Sequence, residues 1–419
     1  MYKYLIALVL GTPLIGIWLV ERGEYALSVG IGGYPSGATV AYALYVVNIL
    51  VVALMFSFFC NKQNTVSRPP TTAKAEKVFR QFSKLFLILT LLFLLLMLFG
   101  FGAINVWIGS IPKGEFRAGL GTFGAFPNLM TKFIVPALLA YSTLLFLRTT
   151  KKNSNKIYLF SNMAVAFLIG STWGFKTTSA AMLLPAFLVM YWSIRIVTML
   201  KLAGFVVFTM LIFFFIFDSE IEGSTDVFSY LLSRVTVIQG DVSWYIWTIY
   251  ADGEEFPRYF PTLLAAIGDT TLTLFGLDRN DQYNWMLFHY DWMISYLAGI
   301  PLEIIAAGHS ITGTPFSEGL VAGGVFGVFV ISSVAGAIVG LMYRWLGHLL
   351  HNGNDIGATI CATYFCFNVL PWLNGGAITQ LFHISNIVGL IATVLLILIM
   401  QKRKTILNNR DAPRGRIAV

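Results

Sequence analysis

Apolar runs about as long as a bilayer is thick recur from one end of this chain to the other, and they decide what it can fold into. A hydrocarbon core about 30 Å thick takes roughly 20 consecutive apolar residues as a helix. Runs of that kind, closed by charged or turn-rich flanks, stand at 4–20, 38–60, 85–104, 130–147, 158–175, 178–194, 202–217, 319–343, 356–373 and 383–400. In lipid every backbone N–H and C=O must be satisfied within the segment, so these runs predict helices. Composition agrees: of 419 residues 57% are hydrophobic and 11% charged, with a mean hydropathy of +0.74, whereas soluble domains carry about 25% charged residues. Soluble enzyme folds are thereby excluded, and the predicted fold class is an all-α integral membrane protein of about ten transmembrane helices. The first run has Lys3 ahead of it, Glu21, Arg22 and Glu24 behind it, and no small-residue cleavage site, so it reads as an uncleaved anchor.

The net charge of +8 and pI near 9.3 would suit a nucleic-acid partner only if the basic residues shared one soluble face. They do not. Lys and Arg in short loops stay on the cytoplasmic side. With the N-terminus inside, ten spans put 20 basic residues and three acids (Glu76, Asp355, Asp411) on the inner face, and the other eight basic residues and 17 acids outside. Both termini are therefore expected in the cytoplasm, and no nucleic-acid partner is expected.

The organisation that follows is a seven-span part (1–217), a large outer loop (218–318), a three-span part (319–400) and a basic cytoplasmic tail (401–419). The loop holds 14 of the 20 acids and three basic residues, Arg234, Arg258 and Arg279. It is too long for a connector and too aromatic for disorder, which predicts short helices on or dipping into the outer surface. Its tryptophans and tyrosines, Trp244 and Tyr245 among them, suit an interfacial belt and equally suit stacking on the C–H faces of sugars.

Within the loop, Arg234 and Asp241 lie seven residues apart, two helical turns, and Ile238, Tyr245 and Thr248 share their stripe. A helix over 228–250 would present a guanidinium, a carboxylate, a phenol and a hydroxyl to one side. Such a helix could simply lie in the interface with its Arg anchored to headgroups. A guanidinium at the membrane edge is also the preferred grip for a lipid-linked diphosphate. The same argument makes Arg117, Arg258, Arg279 and Lys176 candidate substrate-binding residues, since positive groups oppose the general charge of the outer face. The segment GSTWGFKTT around Lys176 lacks the Gly-Lys adjacency of a nucleotide-binding loop. Thr314 and Pro315 read as N-cap and first residue of a helix. Glu318 then falls in its first turn, where the helix dipole favours a carboxylate, and with His309 it could handle protons at an outer cavity. Gly319, Gly323 and Gly327 recur every four residues, a ridge that lets another helix approach closely.

No HExxH and no Cys/His set is present, and Cys60, Cys361 and Cys366 all sit in apolar stretches as small buried side chains. The single acid pair of metal-holding type is Asp218-Ser-Glu220. No metal site and no cofactor is predicted.

Two stretches, SRVTVIQGDVSWYIWTIY (Ser233–Tyr250) and TGTPFSEGLVAGGVFG (Thr312–Gly327), together with the layout of spans and loop, resemble the Wzy-type polysaccharide polymerases of bacterial inner membranes, which join O-antigen or enterobacterial-common-antigen repeat units. The resemblance implies an enzyme that transfers a growing glycan from undecaprenyl diphosphate to the sugar of an incoming lipid-linked unit, outside the inner membrane and without a nucleotide sugar. Its partners would be undecaprenyl-diphosphate-linked oligosaccharide, membrane lipids, and a chain-length regulator and flippase of the same pathway. Outer-loop arginines matter in the family, which maps most directly onto Arg234. Asp241, His309 and Glu318 are the candidates for a base. The alternatives are an O-antigen ligase, which passes the chain to lipid A core, and a flippase or other transporter, for which charged groups inside the spans would be expected.

Overall fold

The computed structural model describes residues 1–58, 73–111, 113–150, 153–173, 176–192, 194, 197, 198, 204, 233–257, 269–274, 276–278, 280–306, 309 and 311–410. The longer helices, in order, are α1 (Tyr2–Glu21), α2 (Ala38–Phe58), α3 (Ala73–Leu95), α4 (Lys113–Leu120), α5 (Val135–Leu147), α6 (Asn153–Ser171), α7 (Lys176–Met190), α8 (Val237–Ala251), α9 (Tyr290–Leu297), α10 (Pro315–His351), α11 (Asp355–Tyr364), α12 (Leu370–Gly375) and α13 (Ile384–Arg410). The one sheet among the described residues is a two-residue antiparallel ribbon, Tyr25–Ala26 with Ile31–Gly32. The protein is an all-α membrane protein: seven of its described helices are long and apolar enough to cross a bilayer, namely Tyr2–Glu21, Ala38–Ser57, Ala75–Gly100, Ala125–Leu147, Pro315–His351, Asp355–Gly375 and Ile378–Met400. The runs expected at 158–175 and 178–194 are helical as α6 and the shorter α7. The run at 202–217 lies outside the described residues, apart from Gly204.

The chain forms two compact units. The first is built from Met1–Gln63, Ser193–Gly347 and Phe365–Asn386, and α1 packs against α2, α8 and α12 within it. Glycines set the closest approach. A Cβ on Gly16 would collide with the Thr236 carbonyl, and one on Gly240 would stand 2.6 Å from the Ile17 nitrogen, so the α1 and α8 backbones meet where neither has a side chain. Along α2, Val40, Leu44, Val47, Val51 and Leu54 are exposed, an apolar stripe of the kind that faces lipid.

The second unit comprises Asn64–Trp192, His348–Tyr364 and Ile387–Val419. Helix α5 is buried from Val135 to Phe146, with α3, α6, α7 and α11 packed around it. At one end Arg148 joins Asp355 at 2.6 Å and donates to the Gly353 carbonyl, tying the end of α5 to the start of α11. Arg80 bridges Glu76, Ser154 and Asn155 and ties α3 to α6.

The glycine ridge of α10 has a different partner from the expected one. The helical path breaks at Gly323 and Gly324, the latter at φ 59° and ψ −147°, a left-handed conformation open to glycine. The chain folds back there, so that Gly319 lies against the backbone of Gly327 and Val328. The ridge closes on itself: residues 315–322 form a short arm tucked against the beginning of the long arm, 325–351. The long arm then packs on α2 through Gly336 and Gly340, with the Asn48 amide hydrogen-bonded to Ser332 and Ser333. Broken backbone at such depth survives where protein covers it, and here Phe316 of the short arm is buried against Tyr42, Tyr45 and Trp247.

Candidate functional site

The first unit gathers the two stretches that drew attention in the sequence. Ser233–Val235 make one helical turn, the chain bends at Thr236, and α8 starts at Val237. Arg234 and Asp241 are therefore not on one unbroken helix, the condition that the spacing argument needs; the interruption at Thr236 lies beside the α1 backbone at Gly16. Arg234 is exposed and Asp241 fully buried. Nor is α8 a surface-lying amphipathic helix: nine of its fifteen residues are buried, including Trp244. Asp241, Tyr245 and Thr248 do follow one another around a single face of α8, as their spacing requires.

That helix holds down the connection between α1 and α2. The Ser28 amide donates to Asp241 Oδ2 at 2.7 Å. Trp244 Nε1 donates to the Tyr34 carbonyl at 3.2 Å, and Trp247 Nε1 to the Ser36 carbonyl at 2.9 Å. Burial pushes the Asp241 carboxyl above its ordinary range, against the opposing pull of the Ser28 and Val242 bonds. Burial likewise raises the half-exposed Tyr245 phenol. The same connection is fixed at its base by Glu21, whose carboxylate accepts from the amides of Ser36, Ala38 and Thr39 and from the Ser36 hydroxyl. It thereby satisfies the open N–H groups at the start of α2.

A hydroxyl cluster joins α8 to the short arm. Ser243 Oγ lies 2.9 Å from Thr314 Oγ1, accepts from the Thr314 amide at 3.1 Å and from Ser317 Oγ at 3.0 Å. Tyr290 of α9 donates to the Thr314 carbonyl at 2.7 Å. Pro315 opens the helix as expected, yet Thr314 turns its hydroxyl to Ser243. Glu318 is fully buried, and its two oxygens accept from the Ile378 amide at 2.9 and 3.0 Å, with Trp372 Nε1 at 3.5 Å. Position in the first turn accounts for part of this arrangement, but the carboxylate chiefly braces the chain after α12 against the short arm.

No known protein family, characterised protein or solved structure matches the chain.

His309 is exposed, three residues past α9's neighbouring turn Leu302–Ala306, with its amide bonded to the Ile304 carbonyl. Arg117 belongs to the second unit, on α4, where Nη2 donates to the Trp173 carbonyl at 3.1 Å while Trp173 Nε1 donates to Thr131. Burial draws its guanidinium below the ordinary value, and an arginine remains charged at neutral pH regardless. Lys176 begins α7 in that unit. Arg258, Arg279 and the Asp218-Ser-Glu220 pair lie outside the described residues. Of the loop aromatics, Trp244, Trp285, Tyr290 and Trp292 are buried and Tyr283 is exposed, so the first four act as core. Among the described residues no group of three His, Cys, Asp or Glu side chains stands close enough to hold a metal.

Ser243 and Ser28 were not singled out in the sequence, and Tyr290 and Glu21 were noted only as a loop aromatic and a span flank. Ser243 stands two residues from Asp241 and could have been singled out as a small polar residue on a mostly apolar helix. The contacts of the others join distant segments and leave no local signal.

Proposed function

We propose that the chain is a membrane glycosyltransferase of the Wzy polymerase type, spanning a bacterial inner membrane about ten times with both termini cytoplasmic and the 218–318 segment outside. One observation supports this reading above the others. The two stretches that resemble the family are joined through Ser243 and Thr314, 71 residues apart in sequence, so the residues carrying the resemblance form one structural element.

In this proposal the hydroxyl of the incoming lipid-linked sugar attacks the anomeric carbon of the growing chain. The bond from that carbon to the diphosphate oxygen breaks, and undecaprenyl diphosphate leaves with the electron pair. Arg234, exposed just ahead of α8, neutralises the charge that builds on the leaving group. The hydroxyl proton passes to His309 or to the departing diphosphate. Asp241 and Glu318, both buried and both occupied by backbone amides, are assigned as positioning residues. Arg117 and Lys176 remain substrate-binding candidates of the second unit.

The test uses purified protein in vesicles containing lipid-linked repeat units, with products resolved as a ladder on a gel. Wild type should build long chains, and Arg234→Ala at equal protein level should lose them by at least 100-fold. Full-length polymer from Arg234→Ala would overturn the assignment. Transfer of preformed polymer to lipid A core, with no chain growth, would replace the polymerase by a ligase.

A further inference from the structure

We infer that Trp18 and Arg22, at the end of α1, form a docking point for the diphosphate of a polyprenyl lipid. This deepens the proposed function, on which the identity of the lipid rests. Helix α1 contributes a 20-residue span, Tyr2–Glu21, which at 1.5 Å per residue is about 30 Å long and matches the hydrocarbon core. Arg22 follows immediately after the span and Trp18 precedes it by one turn, and at a span's end arginine heads and indoles favour the membrane interface.

The nearest acid is not available to that arginine. The Glu21 carboxylate is turned to the start of α2 and occupied by four donors. Glu24 forms no ion pair with Arg22, and among the described residues no Arg22 side-chain donor is spent on a protein acceptor. What Arg22 does have is the indole of Trp18, over which its Cζ stands 4.2 Å from the ring centroid. A guanidinium laid on an aromatic ring is oriented at modest cost and keeps its in-plane N–H fork for an oxyanion. Both side chains are exposed.

Below them Ile15 and Leu8 are exposed on the same side of α1, since steps of seven and three or four residues return to one helix face. This stripe gives a long apolar chain a path parallel to the helix, with its charged head at Arg22. A polyprenyl diphosphate fits better than a common phospholipid: its phosphates are terminal and multiply charged, whereas a phosphodiester carries one charge and in zwitterionic lipids already has an ammonium beside it.

The experiment measures retention of ³²P-labelled undecaprenyl diphosphate by the purified full chain in phosphatidylcholine nanodiscs, in an Arg234→Ala background so that the transfer site does not contribute. Adding Arg22→Ala should weaken binding at least 10-fold, Arg22→Lys about threefold because the bidentate fork is lost, and Trp18→Leu about threefold, with melting temperature unchanged in all three. A tenfold excess of phosphatidylglycerol should not displace the label. Unchanged binding by Arg22→Ala overturns the inference and leaves the glycosyl-transfer reading standing. Displacement by phosphatidylglycerol mole for mole overturns it too, by reducing the pair to a general headgroup anchor. Arg22-dependent binding, with no polymer built by the wild-type protein in the vesicle assay, sustains the docking point while the polymerase reading fails.

Discussion

Replacing Gly16 by alanine isolates the contact on which the first unit depends. An added Cβ would lie 3.0 Å from the Thr236 carbonyl carbon and 3.1 Å from the Gly240 nitrogen, with the Thr236 oxygen closer still, where ordinary contact is 3.4–4 Å. All three atoms are backbone, so no rotamer change relieves the clash and α1 and α8 must part. Overpacking of this kind costs about 1–3 kcal/mol. Shifting α8 also stretches the bond from the Ser28 amide to the buried Asp241 carboxylate, and hydrogen bonds to charged groups contribute about 1.5–3 kcal/mol. Alanine returns about 1 kcal/mol through its helix propensity. The net loss is about 1.5–5 kcal/mol, or roughly 3–20 °C in Tm at 2–4 °C per kcal/mol. The same helix supplies a control. Gly11 has nothing within 4 Å of an added Cβ, so Gly11→Ala should melt at or slightly above wild type. The assay is thermal unfolding in detergent micelles, followed as loss of the monodisperse peak. Equal melting of the two variants would sink the account of the α1–α8 contact.

Glu318 separates bracing from chemistry. Glu318→Gln keeps one acceptor for Ile378 and should cost about 1 kcal/mol, whereas Glu318→Ala strands that amide and should cost about 1–3 kcal/mol from the amide alone. Polymer yield and melting temperature should fall together in both, and a Gln variant with wild-type melting but no polymer would make Glu318 a catalytic group. Asp241 makes stability depend on pH. Its folded pKa lies above the unfolded value near 3.8, so the folded state holds the proton more tightly and stability falls as pH rises from that value through the folded pKa. Asp241→Asn should flatten the part of a melting-temperature profile just above pH 3.8, and an unchanged slope would refute the assignment.

The spans were legible because an apolar run of fixed length has few other uses: the run at 4–20 became Tyr2–Glu21 and that at 38–60 became Ala38–Phe58. Thr314-Pro315 marked a helix start correctly, since proline's fixed φ and missing N–H act locally. The glycine ridge was visible, but periodicity names the small face of a helix and says nothing about what fills it. Here the filler is the helix itself, returned by the left-handed turn at Gly324. The Arg234–Asp241 spacing has a related limit. A seven-residue interval puts two side chains on one face only if the helix is continuous, and the helix is interrupted at Thr236, which lies beside α1, more than 200 residues away in sequence. The bonds of Ser28 and Ser243 span 213 and 71–74 residues and those of Glu21 span 15–18, beyond the reach of any helix or turn periodicity, which is why the hydroxyl cluster and the pinned α1–α2 connection appear only in three dimensions.

The separation between Ser28 and Asp241, 213 residues, has a meaning during synthesis. At about 5–20 residues per second, about 10–40 s pass between the emergence of α1 with its following turn and the emergence of the helix that covers them. Throughout that interval Gly16 and Pro13 lack the helix that covers them in the folded chain, and the second unit's sequence from Asn64 to Trp192 is made first. An earlier helix thus waits for a later one, and the bare glycine face of α1 stays open until α8 arrives.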